Sequence, residues 1–290
     1  MFFRLTTPRL VPRWAVQFSL SLCSAVITGA SSGLGAEFAR QLAPRACCLV
    51  LAARREDALA LTRDAVLAIN PSVRVLCVPC DLATSAGRDT LIRQIDALDV
   101  HPNLLINNAG MGDYGTFESA NPERLMAQIE LNISALVQLT HALIPRFKMA
   151  AQQPSGILNV SSLAGVLPMP DLAVYAATKA FVTSFSEALA IELQEQNIAV
   201  SCVCPGPTPT NFSKTARRED GTDTDRGGQD ILRIPPEKVV STALEALQCG
   251  DTCVYPGLGV SLAAPAFRIM PRFIQRLILR RRFANRPTQP

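Results

Sequence analysis

The sequence predicts a single α/β domain, with helices flanking a doubly wound parallel sheet, followed by a C-terminal helical extension. Three features of the chain support this fold class. Short apolar runs alternate with longer amphipathic segments along most of the sequence. A glycine-rich turn separates the first apolar run from the first amphipathic segment. Several apolar runs end at residues suited to ligand contact, at the edge where such sheets bind ligands.

The composition is that of a globular protein with a sizeable core. The chain has 290 residues, of which 48% are hydrophobic and 18% charged, and this balance excludes global disorder. A net charge of +4 gives no reason to expect a nucleic-acid partner. The charge is uneven, because no acidic residue precedes Glu37 and none follows Asp251. We expect a tail over residues 1–20, the main domain over 21–258 and a basic extension over 259–290.

The cysteines and histidines give no indication of a metal site. Nine cysteines without regular spacing favour reduced thiols in a cytoplasmic protein over a disulfide framework. Cys77 and Cys80 have the spacing of a redox pair or half a zinc site, but they lie in a strand-like segment without a fitting second pair. His101 and His141 are far apart in sequence, so we expect no bound metal.

The N-terminal segment resembles a signal peptide, because three arginines precede an apolar run. That run continues into residues 25–29, which the predicted sheet needs as its first strand. Cleavage there would destroy the glycine turn. We therefore interpret residues 1–20 as a tail or a docking arm, and we expect no transmembrane helix.

Strands and helices alternate along the chain. The predicted strands cover residues 24–28, 47–53, 73–79, 103–106, 156–160, 198–204 and 253–255. The predicted helices cover residues 36–42, 56–70, 84–98, 122–147, 173–194 and 236–248. This alternation implies a parallel sheet with right-handed crossovers. The second strand is apolar throughout, as expected for a strand covered on both faces.

The glycine-rich turn spans residues 28–35 and predicts a dinucleotide site. Its glycines remove side chains where the backbone must approach a pyrophosphate and where a helix packs on a strand. The following helix offers free N–H groups and a positive dipole end. The residues assigned to this contact are Gly29, Ser31, Ser32, Gly33, Leu34 and Gly35.

The end of the second strand indicates which cofactor binds. An acidic residue there would hydrogen-bond the adenosine ribose of NAD, but the strand is followed by Arg54 and Arg55, with no acid before Glu56. A guanidinium group matches a 2′-phosphate in bidentate geometry. The sequence therefore predicts NADP(H), with Arg54 as the main contact. The alternative is a solvated arginine that opens the next helix.

Tyr175 and Lys179 are candidates for proton transfer. They lie four residues apart in a predicted helix and so share a face. An adjacent ammonium group favours the phenolate form of tyrosine, which would let the hydroxyl exchange a proton near neutral pH. Carbonyl reduction or alcohol oxidation requires such a group. The spacing alone is common by chance, and a surface tyrosine and lysine are the alternative.

Other candidates stand at the carboxyl ends of the predicted strands. These are Asp81, Asn107, Ser162 and Pro205, which are scattered in sequence. Ligands of doubly wound sheets bind at this edge, so we expect these four residues to converge in space.

With these residues in place, the chain resembles the short-chain dehydrogenase/reductase superfamily over residues 22–255, and the resemblance implies a Rossmann-like sheet. The matching features occur in the family's order. They are T-G-x-x-x-G-x-G at 28–35, D-L at 81–82, N-N-A-G at 107–110, Asn132, Ser162, Y-x-x-x-K at 175–179 and P-G-x-x-x-T at 205–210. No catalytic position departs from the family pattern.

The resemblance implies a role for each catalytic residue. Tyr175 would be the general acid in reduction and the base in oxidation, and Lys179 would lower its pKa and bind the nicotinamide ribose. Ser162 would hydrogen-bond the substrate oxygen, and Asn132 would help hold a water that links the lysine to solvent. Further cofactor contacts are assigned to Asp81, Leu82, Asn108, Ala109, Gly110, Tyr175, Lys179, Pro205, Gly206, Thr208 and Thr210.

We therefore predict an NADPH-dependent carbonyl reductase, or an alcohol dehydrogenase running in the opposite direction, active as a homodimer or homotetramer. Its substrate would be a partly apolar ketone or 3-oxoacyl compound. Residues 111–117 and 163–172 would shape the pocket, and residues 214–230 would form a mobile flap. A non-catalytic NADP(H)-binding regulator and a membrane-docked scaffold are the alternatives.

The C-terminal segment 267–283 is basic and amphipathic. Arginines recur at every fourth position from Arg268 to Arg280 beside apolar residues, and Pro271 fits a helix start. Such a helix can lie on an anionic membrane, which would make this cytoplasmic protein peripheral at a membrane surface. The alternative is that its apolar side packs against the domain or a partner subunit.

Overall fold

The computed structural model describes residues 15–99, 101–149, 154–218 and 233–284. Its strands in these ranges are β1 (Cys23–Thr28), β2 (Ala46–Ala53), β3 (Arg74–Pro79), β4 (Leu104–Asn107), β5 (Ser155–Val160), β6 (Ile198–Val203) and β7 (Cys253–Val254). They form one sheet in the order β3-β2-β1-β4-β5-β6-β7, and every neighbouring pair is parallel. This confirms the predicted Rossmann-like sheet. The strand order reverses between β1 and β4, which places a crevice at their carboxyl ends.

The helices cover both faces of the sheet. They are α1 (Gly33–Leu42), α2 (Glu56–Ile69), α3 (Ser85–Asp96), α4 (Pro122–Ile129), α5 (Ala135–Met149), α6 (Ala173–Glu192), α7 (Phe212–Thr215), α8 (Pro236–Cys249), α9 (Leu258–Ile269) and α10 (Arg272–Ala284). Adjacent strand residues point to opposite faces, so Ile27 lies in a core cluster with Phe38 of α1 while Val26 lies in a second cluster with Phe147 of α5. Two buried faces explain why the strands are apolar throughout.

Part of the predicted N-terminal tail belongs to this core. Phe18 and Leu20 are each only 2% exposed and lie in the same cluster as Ile27. Phe18 packs close to Gly156 of β5, where an added Cβ would lie 3.1 Å from its ring. We therefore place the start of the packed domain before Phe18, while residues 1–14 lie outside the described part of the chain.

The predicted helix 122–147 is interrupted by a turn of π-helix over Glu130–Ser134, between α4 and α5. The sequence pattern gave no sign of it, because the apolar positions on either side stay in helical register. The π turn contains Asn132, whose side chain is bonded to the loop after β4. Single π turns inside α-helices are frequently found at functional sites.

The C-terminal extension is helical, as predicted, and it consists of two helices, the second of which begins directly after Pro271. Met270 is extended, with φ −65° and ψ 130°, and it separates α9 from α10. The proline that follows explains the break, because its ring disfavours helical geometry in the preceding residue. None of the helices in the described ranges is long and apolar enough to span a bilayer.

Candidate active site

The turn after β1 lies against the loop after β4 at the crevice. The Nδ2 of Asn108 donates hydrogen bonds to the carbonyl oxygens of Thr28 at 2.9 Å and Gly29 at 3.3 Å. The backbone N–H groups of Asn108 and Ala109 both donate to Thr28 Oγ1 at 3.0 Å. Gly29 has a φ of +66°, and a Cβ there would lie 2.9 Å from Ala109 Cα. A side chain at Gly35 would overlap the Gly29 carbonyl, so the bare backbone is a steric requirement.

One cavity of about 950 Å³ opens above this turn and brings most of the predicted site residues together. All the residues assigned to the cofactor line it except Gly35, which is packed behind the turn. Of the predicted catalytic residues, Ser162, Tyr175 and Lys179 line the cavity, and Asn132 lies behind its wall. The glycine turn and the arginines after β2 therefore line the same cavity as the tyrosine and lysine.

Ser162, Tyr175 and Lys179 are positioned by β5 and α6. Ser162 lies two residues beyond β5, and its Oγ accepts a hydrogen bond from the N–H of Ala164 at 3.1 Å. Lys179 Nζ donates to the carbonyl oxygen of Val160 at 2.8 Å, which joins α6 to the end of β5. The same Nζ lies 5.8 Å from the centre of the Tyr175 ring. The two side chains therefore occupy one face of α6, as their spacing predicted.

Asn132 is buried beneath the loop after β4. Its Oδ1 accepts from the N–H of Met111 at 2.9 Å, and its Nδ2 donates to the Met111 carbonyl at 2.9 Å and to Thr178 Oγ1 at 3.0 Å. A Cβ added to Gly110 would lie 3.2 Å from Asn132 Oδ1 and 3.4 Å from Lys179 Nζ. Gly110 therefore separates the asparagine from the lysine, and the π turn joins the loop after β4 to α6.

Burial dominates the acid–base properties of Tyr175 and Lys179. It raises the pKa of Tyr175 above its usual value, and a hydrogen bond with Ser162 only partly opposes this rise. Burial also lowers the pKa of Lys179 to about 8, while the Cys202 and Cys204 thiols act weakly in the other direction. The predicted lowering of the tyrosine pKa by the lysine is therefore not found in the protein alone. Desolvation penalises both charged forms more than their mutual attraction favours them.

The buried lysine should make stability depend on pH. Lys179 has a pKa of about 8 in the folded protein and an ordinary value of 10.5, so between these values the unfolded chain holds a proton that the folded chain has lost. Stability contributed at this site therefore rises with pH across that window. We expect the free energy of unfolding of the wild type, minus that of Lys179→Met, to rise by about 2 kcal/mol from pH 8 to 10. Urea unfolding at several pH values measures it, and a constant difference would contradict the assignment.

Arg54 and Arg55 lie at the far end of the cavity from Tyr175. Both arginines are exposed, and both line the cavity directly after β2. Arg55 was not among the predicted contacts, although its position beside Arg54 was a visible signal. Two guanidinium groups at this edge provide a positive region suited to an anionic ligand group.

Several cavity residues were not predicted from the sequence. The ring of Phe212 in α7 packs against Tyr175 with centroids 5.3 Å apart. The C-terminal extension contributes the further wall residues Phe267, Met270, Gln275, Ile278 and Leu279. Gln275 Nε2 donates to the carbonyl oxygens of Phe267 at 2.8 Å and Met270 at 2.9 Å, which ties α10 to the end of α9. The amphipathic pattern of α10 was a signal for burial, but it could not identify what the apolar side covers.

A buried carboxylate anchors the segment that carries α7. Asp113 pairs with Arg218 through Oδ2 at 2.6 Å and with Arg124 through Oδ1 at 2.9 Å, and its side chain is 2% exposed. Arg124 also donates to the carbonyl oxygen of Thr215 at 2.6 Å, at the end of α7. The loop after β4 and the segment after β6 are therefore held together over the cavity. Of the predicted flap 214–230, residues 214–218 are fixed in this way, and 219–230 lie outside the described residues.

Sequence comparison identifies relatives of this chain. A family model described as short chain dehydrogenase matches residues 24–221. A probable short-chain type dehydrogenase/reductase of Helicobacter pylori is 34% identical over 197 residues, which are 68% of this chain and 69% of that protein. A very-long-chain 3-oxoacyl-CoA reductase of Laccaria bicolor is 36% identical over 179 residues, 61% of this chain. That match spans 52% of the Laccaria protein, about half its length.

Solved structures share the same fold. A short-chain dehydrogenase from Sphingobium yanoikuyae in complex with NADPH superposes with a TM-score of 0.72 at 30% identity, covering 89% of this chain and 95% of that one. A 3-ketoacyl-(acyl-carrier-protein) reductase from Brucella melitensis complexed with NADH gives a TM-score of 0.71 at 27% identity, covering 82% and 97%. Structures similar to this chain therefore include complexes with either form of the nicotinamide cofactor.

Proposed function

Because this chain belongs to the short-chain dehydrogenase family and is an oxidoreductase, we propose that it reduces a partly apolar ketone or 3-oxoacyl compound with NADPH. The observation that carries the proposal is the single cavity. At one end it has a bare glycine turn and two arginines, and at the other a serine, a tyrosine and a lysine. The same residues can serve the reverse oxidation, because the direction depends on the substrate and the cofactor pool.

The residues of the cavity suit a dinucleotide. Gly29 and Gly33 both have positive φ, and the N-terminus of α1 begins at Gly33, so backbone N–H groups can face a pyrophosphate. When bound, the nicotinamide would supply or accept the hydride. The protein would position it and exclude water.

The chain's own residues would manage the proton. Its raised pKa keeps Tyr175 protonated at neutral pH, which is the form that donates to a carbonyl oxygen during reduction. Ser162 Oγ would donate a hydrogen bond to the same oxygen as negative charge develops there. Lys179 would hold the ribose hydroxyls, and Asn132 would fix the loop beside it.

The preference for NADPH rests on the edge after β2. Exposed Arg54 and Arg55 line the cavity there, and no carboxylate stands at the end of the strand to receive a ribose hydroxyl pair. The complex of the Sphingobium relative with NADPH agrees with this choice, while the complex of the Brucella reductase with NADH leaves NAD as the alternative.

Replacing Arg54 by aspartate tests the cofactor assignment. We expect the ratio of kcat/KM for NADPH to that for NADH to fall by about 10- to 100-fold, because an attractive charge is replaced by one that repels the 2′-phosphate and can bind the ribose. Steady-state kinetics with each cofactor measure the ratio. Arg45→Asp, at an exposed arginine that does not line the cavity, is the control and should leave it unchanged. An unaltered ratio in Arg54→Asp would contradict the assignment.

The substrate end of the cavity is largely apolar. Its wall includes residues from both segments expected to shape the pocket, together with α7, α9 and α10, namely Met111, Leu163, Leu167, Met169, Leu172, Phe212, Phe267, Met270, Ile278 and Leu279. This wall supports a substrate with a sizeable apolar part. The 3-oxoacyl-CoA reductase activity named for the Laccaria relative supports an acyl chain as that part.

Leu279 and Leu277 provide a matched pair of variants on α10. Leu279 lines the cavity, whereas Leu277 is 49% exposed and does not. We expect Leu279→Asp to lower kcat/KM for a long-chain ketone by about tenfold or more, because a charge then faces the apolar chain, with little change for a short ketone. Leu277→Asp should affect neither. A panel of ketones of increasing chain length, followed by NADPH absorbance, measures this, and equal effects from both variants would refute the role of α10.

The residues that line the cavity also indicate what the apolar side of the C-terminal segment 267–283 covers. Five of its side chains face the cavity, which supports the alternative in which the apolar side packs against the domain. The exposed Phe273 and Leu277 lie beside arginines, and a membrane contact through them stays a prediction. The homodimer or homotetramer stays a prediction as well.

A further inference from the structure

Three thiols cluster where β6 meets β7, outside the residues assigned to catalysis. Cys204 Sγ lies 3.8 Å from Cys253 Sγ and 3.9 Å from Cys202 Sγ. Cys202 and Cys253 are Cα partners in the parallel pair of strands. Cys202 and Cys204 are fully buried, while Cys253 is partly exposed. Cys253 is therefore the least buried cysteine of the cluster, and a buried thiol lies next to it.

The surroundings of Cys253 favour its thiolate. Hydrogen bonds from the Cys202 and Cys204 thiols lower the pKa of Cys253, and the guanidinium of Arg268 on α9 acts in the same direction, whereas burial opposes both. A hydrogen bond with Cys202 lowers the pKa of Cys204, but the contact with Cys253 and burial together raise it above its usual value. A thiolate, and not a thiol, is the nucleophile in sulfur chemistry. Cys253 is also the least buried cysteine of the cluster, so we take its sulfur as the attacking one and Cys204 as the second thiol.

The position of β7 gives a reagent access to Cys253. This strand is only two residues long and lies at the edge of the sheet. Short edge strands open locally at low free-energy cost. Cys202 lies directly opposite Cys253 in the ladder and Cys204 lies diagonally from it, so a bond to Cys204 requires the ends of β6 and β7 to shift. Cys204 is the proposed partner because its Sγ lies 3.8 Å from Cys253 Sγ.

We propose that Cys253 and Cys204 form a redox-sensitive pair that a hydroperoxide oxidises to a disulfide. The Cys253 thiolate attacks one oxygen of hydrogen peroxide, the O–O bond breaks, and the departing hydroxide takes a proton to become water. Cys253 is then a sulfenic acid. The sulfur of Cys204 attacks it, the S–S bond forms, the S–O bond breaks, and a second water leaves. In total, two thiols and one peroxide give one disulfide and two waters.

This disulfide would disturb the candidate active site. The two sulfurs must approach from 3.8 Å to about 2 Å, which moves the end of β6. Cys204 immediately precedes Pro205 and Gly206 in the cavity wall. Its Sγ also lies 3.6 Å from Thr183 Oγ1, and that hydroxyl bonds to the carbonyl oxygen of Lys179 at 3.1 Å. Oxidation should therefore weaken NADPH binding by about tenfold, a consequence that rests on the proposed function.

Peptide mapping of the full-length protein tests the cross-link. After treatment with hydrogen peroxide, we expect a peptide pair joined through Cys204 and Cys253 in the non-reducing digest, which dithiothreitol separates. Cys253→Ser and Cys204→Ser should each abolish this pair, and Cys47→Ser, at an exposed thiol outside the cluster, should retain it. Absence of the pair from the oxidised wild type, or a different partner for Cys253, would overturn the proposal.

Fluorescence titration with NADPH tests the consequence separately. Oxidised wild type should bind about tenfold more weakly than the reduced protein, dithiothreitol should restore binding, and peroxide should leave Cys253→Ser unaffected. Full cross-linking with unchanged affinity would overturn the coupling to the cavity. If the reduced protein itself fails to bind NADPH, the proposed function fails, whereas the mapped disulfide stands on its own.

Discussion

Replacing Tyr175 by phenylalanine should lower kcat by about three orders of magnitude while NADPH still binds. The substitution removes only the hydroxyl, which lies in the cavity with Ser162 and Lys179. A positioned proton donor typically contributes 10²- to 10⁴-fold to such a reaction. The ring contact with Phe212 at 5.3 Å can remain, because phenylalanine keeps the aromatic ring. Steady-state ketone reduction and NADPH fluorescence titration measure the two quantities.

Tyr114 provides the matched control, because it is a second tyrosine that lines the same cavity. Tyr114→Phe should retain most of the wild-type kcat, since no role in proton transfer is assigned to it. Near-normal turnover by Tyr175→Phe would refute the proton-donor role. A comparable loss in both variants would mean that the cavity responds to any lost hydroxyl.

Replacing Asp113 by asparagine should destabilise the protein by about 3 kcal/mol or more. Asp113 is the carboxylate shared by Arg218 and Arg124, and both its own side chain and that of Arg218 are buried. The neutral amide removes the negative charge that the two guanidinium groups share, and the guanidinium of Arg218 is buried. Removing one partner of a buried ion pair is costly for this reason. The free energy of unfolding in urea measures the loss.

The same variant should also affect the substrate. The Asp113 cluster holds the end of α7, and Phe212 of α7 packs against Tyr175, so we expect KM for an apolar ketone to rise. Asp64→Asn is the control, because Asp64 pairs with Arg63 at an exposed site and its loss should cost at most about 1 kcal/mol. Equal destabilisation by the two variants would show that the buried Asp113 cluster contributes no more to stability than an exposed ion pair.

Much of the fold and of the candidate site could be predicted from local sequence patterns. The glycine turn, Asn108 and Ser162 could be placed from the sequence, because a parallel doubly wound sheet collects its carboxyl strand ends at one edge. The spacing of Tyr175 and Lys179 likewise placed them on one face of α6. The roles given to these residues remain predictions, but the structure brings Ser162, Tyr175 and Lys179 into one cavity and places Asn132 behind its wall.

Features that depend on long-range packing could not be predicted from the sequence. The π turn at Asn132 depends on bonds to Met111, 21 residues away, and Asp113 meets Arg218 across 105 residues. Burial raises the pKa of Tyr175, and the residues near it in the sequence do not reveal how deeply it is buried.

The sequence by itself determined the sheet, its strand edge and the residues at that edge, because alternation, glycine spacing and charge act over one or two elements. Only the tertiary structure decided what covers that edge. It placed α9 and α10 over the cavity, packed Phe18 into the core and gathered three cysteines beside Pro205. These outcomes depend on which distant surfaces meet, and an amphipathic pattern states that a face will be buried without stating against what.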